Sequence, residues 1–188
     1  MKTHRAGKIP TWLAGLALAL LWPVAADQND DRLDGLFDKL QDAPNASQSA
    51  VIEQQIWLIW TQAPNDEAER LMDRGMQAMR LGEWTLAERL FDQLVEKEPK
   101  FAEAWNKLAT VHYVLGDYNE SMSDIEQTLK LEPRHFGALS GLGSIFARLG
   151  QPAAAIRVFE QVLEIYPHSQ DSQHSIEQLQ EQLLDRAI

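Results

Sequence analysis

Residues 102–135 read AEAWNKLATVHYVLGDYNESMSDIEQTLKLEPRH, and this stretch decides the fold. A helical pattern leads up to Leu115 and closes at Gly116, where a residue without a Cβ can take a left-handed conformation. A second helical pattern follows and stops at Pro133, which cannot continue a helix and pushes its predecessor out of helical geometry. The unit is helix, Gly turn, helix, Pro turn.

The same punctuation recurs on both sides. Gly82, Gly116 and Gly150 stand 34 residues apart, as do Pro99, Pro133 and Pro167. Each Gly follows a Leu: Leu81, Leu115 or Leu149. Between Gly and Pro, the small residues Ala87, Ser121 and Ala155 each precede by one turn a large one, Phe91, Ile125 or Phe159. Such a pair lets a neighbouring helix come close and then grips it. Upstream of the Gly, Trp105-x-x-Leu108-Ala109 matches Leu139-x-x-Leu142-Gly143 and, more loosely, Leu71-x-x-Arg74-Gly75. Three units follow: residues 68–101, 102–135 and 136–169.

These units resemble tetratricopeptide repeats. The middle one is clearest, with Ala102-Glu103-Ala104-Trp105 at its start, Gly116-Asp117-Tyr118 at its turn and Leu131-Glu132-Pro133 at its end. Departures are Arg74 at an inward Leu-like place, Ser121 for the usual Ala, and Pro152 for the usual aromatic. Pro152 opens a helix, where proline is tolerated. The resemblance implies an all-α fold, a right-handed α-solenoid of stacked antiparallel helix pairs.

The flanks are expected to complete the stack. Residues 170–188 carry a narrow apolar stripe, Ile176, Leu179 and Leu183, on a polar helix, as a terminal cap requires. Ahead of the repeats, residues 27–67 give one amphipathic helix with Leu33, Leu36, Phe37 and Leu40. Ala43-Pro44-Asn45 turns the chain into a second helix with Val51, Ile52, Ile56, Trp57, Ile59 and Trp60. This reads as a degenerate helix pair continuing the stack. Two Trp and two Ile within five residues exceed what one helix face needs. The pair is either deeply packed or partly a docking surface.

Residues 1–26 differ in composition from the rest. Lys2, Arg5 and Lys8 precede an apolar run from Ile9 to Trp22, and Pro23 and Val24-Ala25-Ala26 follow it. This is the layout of a secretory signal peptide cleaved after Ala26. The alternative is an uncleaved membrane anchor, since 18 residues from Ile9 to Ala26 reach the lower limit for spanning a bilayer. Without Cys the chain forms no disulfide, thiolate zinc site or iron–sulfur cluster. The leader and the Cys-free chain point to a protein of the bacterial periplasm that is stable on packing alone. Of 188 residues, 45% are hydrophobic and 24% charged, ordinary for a globular chain. Loss of the leader takes the net charge from −11 to −14. Acidity of that size disfavours nucleic acid and anionic membrane surfaces, whose phosphates need cations. A monomer without stable membrane insertion is expected after leader removal.

No phosphate-binding glycine loop, nucleophile elbow or zinc-protease motif occurs, so no catalytic residue, cofactor or metal is assigned. His112 falls where the repeat puts an aromatic between its helices, and His135 and His168 fall in inter-repeat turns, expected to face solvent. His174 lies near Asp171 and Gln178 by helical spacing, too few groups for a ligand set. What the resemblance implies is a concave groove, lined by the first helix of each unit, where a peptide or protein partner binds. Carried over, its positions are Glu69, Met72, Met76 and Met79 in the first unit and Glu103, Asn106, Thr110 and Tyr113 in the second. The third supplies Gly137, Ser140, Gly141, Ser144 and Ala147, and the cap adds Asp171, His174 and Gln178. The family's carboxylate clamp needs Lys, Arg and Asn where this chain has Met72, Met76, Lys107, Gly137 and Gly141. One basic residue makes no clamp. The three Met form an adaptable apolar patch, or else pack on Trp57 or Trp60. Gly137 and Gly141 strip bulk from one helix at about 1 kcal/mol each, which points to room for a ligand. The reading is a non-enzymatic interaction module of the bacterial envelope. The alternatives are a membrane-anchored assembly factor that keeps its leader, and an enzyme or carrier using the groove with its acidic walls and His174.

Overall fold

The computed structural model describes residues 30–185, so the leader expected at residues 1–26 lies outside the described residues. Among the described residues the secondary structure is entirely helical. An N-terminal hairpin comprises α1 (Arg32–Gln41) and α2 (Ala46–Trp60). The three units are α3 (Asp66–Leu81) with α4 (Trp84–Lys97), α5 (Ala102–Leu115) with α6 (Tyr118–Leu131), and α7 (Phe136–Arg148) with α8 (Pro152–Ile165). The cap is α9 (Gln170–Asp185). From α3 onward the chain is a right-handed α-solenoid.

The 34-residue punctuation does what its chemistry requires. Gly82, Gly116 and Gly150 adopt φ of 72°, 88° and 71°, the left-handed region. After each first helix the Gly N–H and the next N–H fold back onto its last turn: Gly116 donates to Tyr113 O and Asp117 to His112 O, with the same pair at the other two turns. This Schellman closure satisfies carbonyls that a helix end leaves open. The small-before-large pairs also interlock. A Cβ added at Gly75 would lie 2.6 Å from the Phe91 ring, and one at Gly143 would lie 2.8 Å from Phe159. Ser121, where the family has Ala, is buried, and its hydroxyl donates to Ala109 O at 2.7 Å, so it ties α6 to α5. Pro152 opens α8, where its missing N–H costs nothing.

The hairpin does not continue the stack ahead of α3. It folds back onto the far units, and its core residues Leu33, Leu40, Ile56 and Trp60 share one apolar cluster with Phe136, Val158, Val162 and Tyr166. The first unit and α5 close a separate cluster from Leu71, Phe91, Leu94 and Leu108. Polar contacts fix the hairpin in place. Arg134 Nη1 donates to Asp34 at 2.7 Å, Gln41 Nε2 to Glu164 O at 2.9 Å, His168 Nε2 to Ala43 O at 2.7 Å and Tyr166 OH to Glu53 at 3.0 Å. The physical reason is the partner surface on offer. Arg70, Asp73, Arg74 and Gln77 all face solvent, so the outer side of α3 gives an apolar helix nothing to bury against. The turns of the third unit present Phe136 and Tyr166.

The cap packs on α8 through Leu179, with Ile176 against the same cluster. Leu183, expected on that stripe, is 37% exposed and lies in the last turns of the helix, past the buried Leu179.

Candidate functional site

In the first unit Glu69 is exposed, whereas Met72 is buried in the core of α3 and α4 and leaves the groove. Met76 and Met79 stay half-buried on the rim of that core. All three belong to the cluster of the first unit, while Trp60 is buried in the hairpin's cluster and Trp57 packs against it.

In the second unit, Thr110 is exposed and donates to Asn106 O, and Tyr113 is half-buried beside Tyr118. Glu103 and Asn106 are withdrawn from the surface. Glu103 is fully buried, accepts from Asn106 Nδ2 at 2.9 Å and pairs with the Lys107 ammonium at 2.7 Å. Its third partner is His135 at 3.1 Å.

His135, expected to face solvent from its turn, is also fully buried. Its ring stacks on Trp60 with centroids 4.1 Å apart and planes 9° from parallel. Nδ1 accepts the Ala138 N–H at 3.1 Å, which caps α7. A nitrogen that accepts carries no hydrogen, so Nε2 bears the ring hydrogen and donates to Glu103. Burial pushes the Glu103 carboxyl up, but the His135 hydrogen bond and the Lys107 charge outweigh it and hold the group below the ordinary Glu range. His168, also expected to face solvent, is partly buried through its bond to Ala43 O.

The glycines of the third unit have different uses. A Cβ at Gly137 would lie 2.7 Å from Trp57 Cη2, so the missing side chain there makes the seat of an indole from the hairpin. Trp57 thus takes the space that a side chain at Gly137 would fill, while Gly137 itself still lines a cleft between α2 and α7. Trp57 is held there by edge contacts to His135 and Phe136 and by the Lys107 ammonium 5.4 Å from its ring centroid. At Gly141 a Cβ would only touch Ile125 at an ordinary 3.5 Å. Ser140 and Ser144 turn their hydroxyls back to Phe136 O and Ser140 O, with Ala147 half-buried beyond them. On the cap, His174 is exposed and bonded to Gln178 at 2.8 Å, and Asp171 is exposed.

The hairpin therefore splits the expected site. The first and second units keep an accessible strip of Glu69, Met76, Met79, Thr110 and Tyr113. At the third, α2 stands off from α7 and the start of α9 and encloses a cleft of about 580 Å³. Glu53, Trp57, Phe136, Ser140, Tyr166 and Asp171 are among its walls. Glu53 and Tyr166 were no part of the sequence reading, because nothing local in the chain marks a helix that returns over residues more than 80 positions away. A second feature lies between the helices of the middle unit. His112 Nδ1 sits 2.7 Å from Asp124, whose carboxyl burial pushes up to about 6 against the pull of His112. His112 is thus an interhelical tie, with Glu88 3.6 Å from its other nitrogen.

Tetratricopeptide repeat models match residues 72–125 and 100–168. A TPR repeat-containing protein of Rhizobium etli is 34% identical over 159 residues, which cover 85% of this chain and 78% of that protein. The solved first TPR of Spaghetti (RPAP3), bound to the HSP90 peptide SRMEEVD, is similar with a TM-score of 0.60 at 19% identity. It aligns with 63% of this chain and 96% of its own. The TPR2B domain of yeast Sti1 in complex with pHsp70 gives a TM-score of 0.59 at 14% identity, over 63% of this chain and 99% of that one. At such identities the likeness is one of fold.

Proposed function

We propose that this chain, which belongs to the tetratricopeptide repeat family, is a non-enzymatic interaction module of the bacterial cell envelope that holds a protein or peptide partner against its first helices. The observation that carries the reading is the accessible strip from Glu69 through Met76 and Met79 to Thr110 and Tyr113. It mixes apolar and polar groups on two consecutive first helices, as a recognition surface needs. Peptide complexes of similar folds support the mode of binding. The clamp positions do not carry over, because Met72 is buried and Gly137 is filled by Trp57. The envelope placement rests on the leader pattern of residues 1–26 and on the bacterial relative. Among the described residues no helix is long and apolar enough to cross a membrane.

The test is capture from an envelope extract, with the bound chains identified. Met76→Glu, Met79→Glu and Thr110→Arg are compared with Gln93→Arg, an exposed change on a second helix. Partner capture lost by the first set and kept by the control supports the strip. Capture that ignores all three groove changes refutes it. The intact mass of the recovered protein, beginning at Asp27 or retaining residues 1–26, decides between a soluble periplasmic form and an anchored one.

A further inference from the structure

We propose that the cleft between α2, α7 and α9 receives a basic side chain, Arg or Lys, of the bound protein partner. This deepens the interaction-module reading and rests on it. The cleft, about 580 Å³, lies within the range of ligand pockets. Glu53 and Asp171 line it from α2 and from the first turn of α9, and among the described residues neither is seen in an ion pair. Glu53 is held in position rather than neutralised, because its partners are the Trp57 indole N–H at 3.2 Å and the Tyr166 hydroxyl at 3.0 Å. Both donors are uncharged, so neither offsets the charge of a carboxylate.

Trp57, Phe136 and Tyr166 also line it, among small and polar residues. Two carboxylates on one cleft with aromatic rings in its walls suit a guanidinium or ammonium, for which ion pairing and ring attraction have the same sign. Other charges nearby do not reverse the sign. Lys107 does not line the cleft and is neutralised by Glu103. His168 spends Nε2 on Ala43 O. The helix N-termini at the rim carry partial positive charge, but Asn45, His135 and Ser169 already cap their N–H groups. The preference is thus opposite to that of a site for an acidic peptide such as SRMEEVD.

The experiment uses nitrogen-labelled purified protein and end-blocked pentapeptides, a central Arg, Lys, citrulline or norleucine flanked by glycines. The reporter is the Trp57 indole N–H, assigned with Trp57→Phe. The Arg and Lys peptides should shift that signal saturably, with affinity falling as salt rises, and the two neutral peptides should not. The Glu53→Gln/Asp171→Asn variant should weaken the Arg peptide at least tenfold. Ala50→Phe, which fills the cleft from α2 and spares both carboxylates, should do the same and decides the matter if the double variant melts early. Equal shifts with Arg and citrulline, or undiminished affinity in a folded double variant, would overturn the proposal. In the capture assay, loss on Met76→Glu but not on Glu53→Gln/Asp171→Asn refutes the cleft and leaves the strip standing. A saturable Arg-peptide signal with capture indifferent to Met76→Glu supports the cleft and refutes the strip.

Discussion

Trp60→Ala tests whether the hairpin is a constitutive part of the fold. Trp60 is fully buried and stacks on His135 at 4.1 Å, with Phe136, Trp57 and Phe37 at 4.9, 5.2 and 5.9 Å. Truncating a buried Trp to Ala costs about 3–5 kcal/mol through lost transfer energy and the cavity left behind. Each aromatic pair adds ~0.5–1.5 kcal/mol beyond area, though the pairs share one ring and do not sum freely. A loss of about 4 kcal/mol is expected, a large part of a domain's usual 5–15 kcal/mol. At ~2–4 °C per kcal/mol for a chain of this size, the melting temperature should fall by roughly 8–16 °C. Urea titration followed by circular dichroism measures it, with Leu58→Ala as the control. Leu58 lies on the same helix but is 60% exposed, and should cost under ~0.5 kcal/mol. Because the hairpin shares its core with the third unit and not the first, exchange protection should drop in α7 and α8 before α3 and α4. A Trp60→Ala protein that loses under ~1 kcal/mol with an unchanged urea slope would show that the hairpin is not docked on the third unit in solution.

Asp124→Asn should flatten the pH dependence of stability. The folded pKa of Asp124, about 6, lies above its unfolded value of 3.8, so the native state binds an extra proton in between. Its burial penalty is absent below ~pH 4, grows as pH rises and is complete above ~pH 6, about 3 kcal/mol at ~1.4 kcal/mol per pH unit. Urea midpoints from pH 4 to 7 should fall more steeply for the wild type than for the variant, and parallel curves would refute the assignment. Gly143→Ala should destabilise by ~1–3 kcal/mol because its Cβ meets Phe159 at 2.8 Å. Gly35→Ala, with nothing within 4 Å, should stabilise by about 0.5–1 kcal/mol, and thermal melts that reverse this order would contradict the packing. Deleting residues 170–188 should expose the apolar side of α8 and give aggregation or a clearly lower melting temperature. A truncated chain that stays monomeric and equally stable by light scattering would remove the cap.

How much of this was legible follows from the range of each interaction. The Gly turns, the small-before-large pairs and the Pro stops act within one unit, and the 34-residue period repeats them three times, so the helices from α3 to α9 could be read directly. The return of the hairpin could not, because it depends on which of two surfaces offers an apolar partner. Its signs were nonetheless in the chain as three departures from pattern. Arg74 puts charge where a preceding helix pair would have to pack, and it faces solvent. Trp57 and Trp60 give α2 more aromatic bulk than one helix face needs, and Gly137 gives α7 less than a helix face usually carries. Taken singly, these looked like a blemish, a possible docking surface and a possible ligand site. Taken together, the surplus on α2 matches the deficit on α7, and Arg74 excludes the nearer docking place. His135 was misread for the same reason: a turn residue is exposed only while nothing folds over it, and here Trp60 does. What the sequence reading missed was complementarity between distant departures, which appears only when an excess in one place is set against a vacancy in another.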